Sequence, residues 1–81
     1  MEKEITLHNG KKITIRELFA IEVDDIDFDN KKEAIKKQVI LSTGMSEIEF
    51  RTLTLRERLQ IIQAINEVNG ISDFPQRSKD I

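Results

Sequence analysis

Apolar and polar side chains alternate on both sides of Asn9-Gly10. Glu4-Ile5-Thr6-Leu7 and Lys11-Lys12-Ile13-Thr14-Ile15 carry the period of two that belongs to half-buried strands, so the pattern predicts a β-hairpin. A two-residue Asn-Gly loop would set Ile5 opposite Thr14 and Leu7 opposite Lys12, mixing the faces. A three-residue loop, His8-Asn9-Gly10 with Gly10 in the left-handed conformation, sets Ile5 opposite Ile13. It gathers Ile5, Leu7, Ile13 and Ile15 on one face and is the expected register.

Downstream the signals become helical. Residues 16–21 read as a turn or two of helix that supplies Leu18 and Phe19 to the core. Residues 22–30 hold Glu22, Asp24, Asp25, Asp27 and Asp29 without a basic residue and read as an acidic connector, anchored by Ile26 and Phe28. Asp29 or Asn30 caps a helix over about 31–43, and Gly44 ends it as a left-handed cap. Ser46 with Glu49, and Thr54 with Glu57, have capping-box spacing and open helices over about 47–52 and 55–69, the second stopped by Gly70. The expected fold is α+β, an N-terminal hairpin packed on three or so helices. It forms a single domain over 1–74, with Ile71 and Phe74 folded back on the last helix and a flexible tail at 75–81.

In that last helix Arg56, Gln60, Gln63 and Glu67 form a polar stripe. Leu55, Leu59, Ile61, Ile62, Ile65 and Val68 cover roughly half the circumference, more than the ~100° arc one core requires. Two readings follow. Either the helix is sandwiched between the hairpin and the 31–43 helix, or part of the arc, Ile61 or Val68, meets a protein partner or a second copy of the chain. Ile40, on the Glu33-Lys36-Lys37 side of its helix, is divided likewise between a contact with Met45 and a partner contact. The candidate partner-binding residues are therefore Ile40, Ile61, Val68 and Phe74.

Composition narrows the classes. Thirteen basic and fifteen acidic residues give a formal charge of −2, which is no footprint for nucleic acid or anionic lipid. Cysteine is absent, so neither a disulfide nor a thiolate is available, in keeping with a reducing cytosol. Met1-Glu2-Lys3-Glu4 has no signal-peptide character, and no apolar run approaches the ~20 residues of a membrane span. His8, the single histidine, falls in the hairpin loop without a catalytic or metal-binding companion. Asp25-Ile26-Asp27-Phe28-Asp29-Asn30 begins like a calcium loop. The likeness fails at Asn30, where the turn wants Gly, at Lys32, where a hydrophobic residue belongs, and at Lys36, where the bidentate Glu must sit. Residues 36–55 have the outline of a helix-turn-helix, yet Ser46-Glu47-Ile48-Glu49 would face the phosphates where a recognition helix needs cations. Neither enzymatic activity nor a cofactor is expected.

One resemblance spans about residues 5–74. The hairpin ending in Ile13-Thr14-Ile15-Arg16-Glu17-Leu18, the charged connector and the helix ending in Ser42-Thr43-Gly44-Met45 come first. Ser46-Glu47-Ile48-Glu49-Phe50-Arg51-Thr52-Leu53 follows, and Thr54-Leu55-Arg56-Glu57-Arg58 opens the last helix. This order resembles the small tail assembly chaperones of long-tailed bacteriophages and prophages. The resemblance implies a non-enzymatic factor of the host bacterial cytoplasm that binds tape measure and tail tube proteins and keeps them soluble. It supplies no catalytic residues, and the frameshifted extension common in that family is not visible. Two other readings stand beside it: a small phage or prophage helix-turn-helix regulator, and an oligomerisation module.

Overall fold

The computed structural model describes residues 2–70, and the readings for Ile71, Phe74 and 75–81 lie outside the described residues. Strands β1 (Glu2–Thr6) and β2 (Lys12–Arg16) form an antiparallel pair and are followed by α1 (Ala20–Asp24), α2 (Lys31–Thr43), α3 (Glu47–Arg51) and α4 (Leu55–Val68). The fold is α+β, as the pattern predicts.

The hairpin has the three-residue loop. Ile5 pairs with Ile13. Leu7 donates its N–H to the Lys11 carbonyl at 2.8 Å, and Gly10 (φ +89°) donates to the Leu7 carbonyl at 2.8 Å. With that register Leu7, Ile13 and Ile15 are buried and Ile5 half-buried, while Thr6, Lys12 and Thr14 face solvent. The apolar face packs against both α2 and α4, and α2 also meets α3 and α4. Leu7, Ile13, Ile15, Val39, Phe50, Ile61, Ala64, Ile65 and Val68 make up the core.

The starts of α2, α3 and α4 follow from their caps. The Asn30 side chain accepts from the Glu33 N–H at 3.3 Å. Ser46 and Glu49 exchange both bonds of a capping box, as do Thr54 and Glu57. Gly44 (φ +76°) closes α2 by donating to the Ile40 carbonyl. Lys36 lies 3.5 Å from Glu33 and 3.3 Å from Glu47, and Arg51 lies 3.4 Å from Glu47, so one carboxylate links α2 to α3.

Two expectations for the segment after the hairpin are corrected. Phe19 does not enter the core; it is 70% exposed. Strand β2 runs on to Arg16, and the helix begins only at Ala20. There Glu22 reaches back to accept from the Phe19 N–H at 2.9 Å, leaving Phe19 extended with its ring outward. Leu18 is half-buried and donates its N–H to the Asn69 side chain at 2.9 Å. Nor does Phe28 anchor the connector. The Asp27 carboxylate accepts from the Asp29 N–H and the Asp27 carbonyl from the Asn30 N–H, a side-chain-closed turn whose tip points Phe28 to solvent. Ile26 alone is buried there, apart from the main core, and the first residues of the acidic connector belong to α1.

Candidate partner-binding surface

The four candidate residues separate in the structure. Ile61 is 0% exposed and Val68 is buried with it, so both are core and are withdrawn as surface contacts. The reason lies in how α4 is turned. Three residues of its polar stripe, Arg56, Gln60 and Glu67, meet the hairpin. The Gln60 side chain accepts the His8 N–H at 2.8 Å and donates to the Thr6 carbonyl at 3.4 Å. Arg56 approaches the His8 ring at 3.2 Å, and Lys3 pairs with Glu67 at 2.6 Å. With those groups along the hairpin edge, Ile61, Ala64, Ile65 and Val68 point inward, and the surplus of the apolar arc emerges at Leu55 and Leu59, both exposed. Phe74 lies outside the described residues.

Ile40 is partly accessible. It packs half-buried against the core and also lines a groove of about 500 Å³ between α1 and α2. Glu33, Lys36, Lys37, Ile40 and Leu41 come from one face of α2, at the spacing that aligns side chains over two turns. Glu22, Asp25 and Ile26 form the opposite wall. The floor is aliphatic, from Ile26, Ile40 and Leu41, and the rims are charged. Phe19, Ile21 (68% exposed) and Phe28 are not among the groove-lining residues but are exposed on the same stretch of chain, which is too short to show a period.

The groove wall on the α1 side is held by an ion pair. Arg16 donates to both oxygens of Glu22, at 2.7 and 3.1 Å, a bidentate contact. Those bonds, with the one from the Phe19 N–H, hold the Glu22 carboxyl below the usual carboxylate range. On the other side, hydrogen bonding from Lys36 lowers the Glu47 carboxyl in the same way. Asp25 and Lys37, by contrast, have no ion pair or side-chain hydrogen bond among the described residues.

Elsewhere the described residues offer little for chemistry. No group of three or more His, Cys, Asp or Glu side chains among them is placed to hold a metal ion. His8 is exposed on the hairpin loop. The helix at the recognition position of the helix-turn-helix outline is α3, only five residues long, with Glu47 and Glu49 exposed. No helix among the described residues is long and apolar enough to cross a membrane. Arg58 stacks its guanidinium 5.2 Å from the Phe50 ring centroid, closing the core beside α3. No family model, curated protein or solved structure matches the chain.

Proposed function

We propose that the protein is a non-enzymatic assembly chaperone that shields an apolar helix of a protein partner. The sequence resemblance to the small phage tail chaperones is what makes the tape measure and tail tube proteins the proposed partners, in the host bacterial cytoplasm. One observation carries the reading: large apolar side chains stay outside a core that is already closed. Phe19, Ile21 and Phe28 are exposed on the stretch of chain, residues 19–28, that also supplies Glu22, Asp25 and Ile26 to the groove, although Ile15, Val39 and Ile61 are fully buried and the core is closed without them. An amphipathic helix laid along α2 would cover such a surface. A tape measure protein is expected to be long and helical, so many weakly held copies along one chain would still coat it.

The helix-turn-helix alternative is less well supported by charge. A five-residue α3 that leads with Glu47 and Glu49 would meet phosphates with carboxylates. Co-expression with a long helical protein from the same genome tests the proposal. The partner should be more soluble with this chain than without it, and Ile21→Asp with Phe28→Asp should remove the effect while leaving a cooperative thermal melt. Partner solubility and tail yield indifferent to the chain would contradict it. A tight, salt-sensitive gel shift on duplex DNA would move the assignment to the regulator.

A further inference from the structure

We infer that the α1–α2 groove accepts one amphipathic helix of a partner protein, two to three turns long, whose apolar stripe is flanked by a cation on one side and a carboxylate on the other. The inference rests on the protein-binding reading above and deepens it. Length comes first. Glu33 to Leu41 spans eight residue steps of α2, about 12 Å at the helical rise, which limits the contact to a short stretch of partner. At about 500 Å³ the groove takes the anchor side chains of one helix face and not a whole helix.

The floor selects aliphatic anchors, since Ile26, Ile40 and Leu41 offer no polar group. The rims select charge. Glu22 is already engaged by Arg16, and Lys36 by Glu33 and Glu47. Asp25 and Lys37 are left, one on each wall, with opposite charge and no partner among the described residues. A helix with cations on both flanks would satisfy Asp25 and be repelled by Lys37; one with carboxylates on both flanks would do the reverse. Only mixed flanks satisfy both walls. A small polar metabolite fits less well, because the charged groups here are rim groups in contact with water and none is buried to orient a ligand.

The test uses the whole chain, labelled with nitrogen-15, and three synthetic helical peptides. They share one leucine stripe and carry Lys on both flanks, Glu on both flanks, or Lys on one and Glu on the other. The mixed peptide should bind tightest, shifting the amides of Ile26, Ile40 and Leu41. Asp25→Lys should make the all-Glu peptide the preferred one, and Lys37→Glu the all-Lys peptide, each by about 3-fold, with the preference fading at 1 M salt. Both substitutions are at exposed positions and should leave the melt unchanged. Preferences that ignore the two substitutions, or shifts centred on Leu55 and Leu59, would overturn the inference. So would shifts at the groove that appear on concentrating the chain alone, which would make a second copy the occupant. If no peptide binds while the full partner is still solubilised, the groove is wrong and the chaperone reading stands.

Discussion

Ser42 lies on the inner side of α2, 2% exposed, and its hydroxyl has no hydrogen-bond partner among the described residues. A buried hydroxyl without a partner costs stability, and serine is also a poorer helix former than alanine. Ser42→Ala should therefore raise the unfolding free energy by about 1 kcal/mol, read from the urea midpoint at unchanged slope. Two neighbours on α4 make the opposite pair. Ile61 is fully enclosed, so Ile61→Ala should cost about 2–5 kcal/mol through lost burial and the cavity left behind. Leu59 is 55% exposed, and Leu59→Ala should change stability by no more than about 0.5 kcal/mol in the same denaturation series. Comparable losses at both positions would mean that α4 is rotated from the orientation described.

At the scale of elements, α1 is the least firmly attached. It is five residues long, too short to hold itself as a helix, and none of its residues is buried. What ties it down is the Arg16–Glu22 pair, the Leu18 bond to Asn69 and the burial of Ile26 just after it. The Glu22 carboxyl titrates lower in the folded chain than in the unfolded one, because Arg16 and the Phe19 N–H bind its charged form. Its contribution is thus fully present above the unfolded glutamate pKa and is lost as pH falls through the lower, folded value. Glu22→Gln should flatten that part of the acid limb of the stability curve. It should also speed amide exchange in α1 while leaving α2 and α4 protected. An unchanged acid limb would show that the pair does not hold the helix.

Local features of the fold were legible because they are written in neighbouring residues. Gly10 and the alternation around it specify the hairpin register. Asn30, Ser46 and Thr54 mark the helix starts, and Gly44 a helix end, each through a bond reaching three or four residues. The azimuth of α4 was not legible. Its apolar arc has a readable width but no readable direction, and direction was decided by side chains meeting the hairpin edge far away in sequence: Arg56 with His8 at 48 residues, Gln60 at 52 and 54, and Glu67 with Lys3 at 64. That is why Ile61 and Val68 moved from candidate surface to core. Phe19 and Phe28 moved the other way, because a cap and a side-chain-closed turn, not hydrophobicity, set where short segments point.

For the molecule as a whole, the proposed working surface is the set of exposed aliphatic and aromatic side chains around α1 and α2, with the rest of the domain as their support. The core is small, and a domain of this size has only a few kcal/mol of stability to spare, so the apolar groups outside it are a liability unless something covers them. Hydrogen–deuterium exchange on the chain, alone and mixed with the helical partner proposed for it, is the decisive measurement. New protection should concentrate in α1, the turn after it and the Glu33–Leu41 face of α2, with α4 near Leu55 and Leu59 unaffected. Protection centred on α4, with none around Ile26 and Ile40, would contradict the proposed surface.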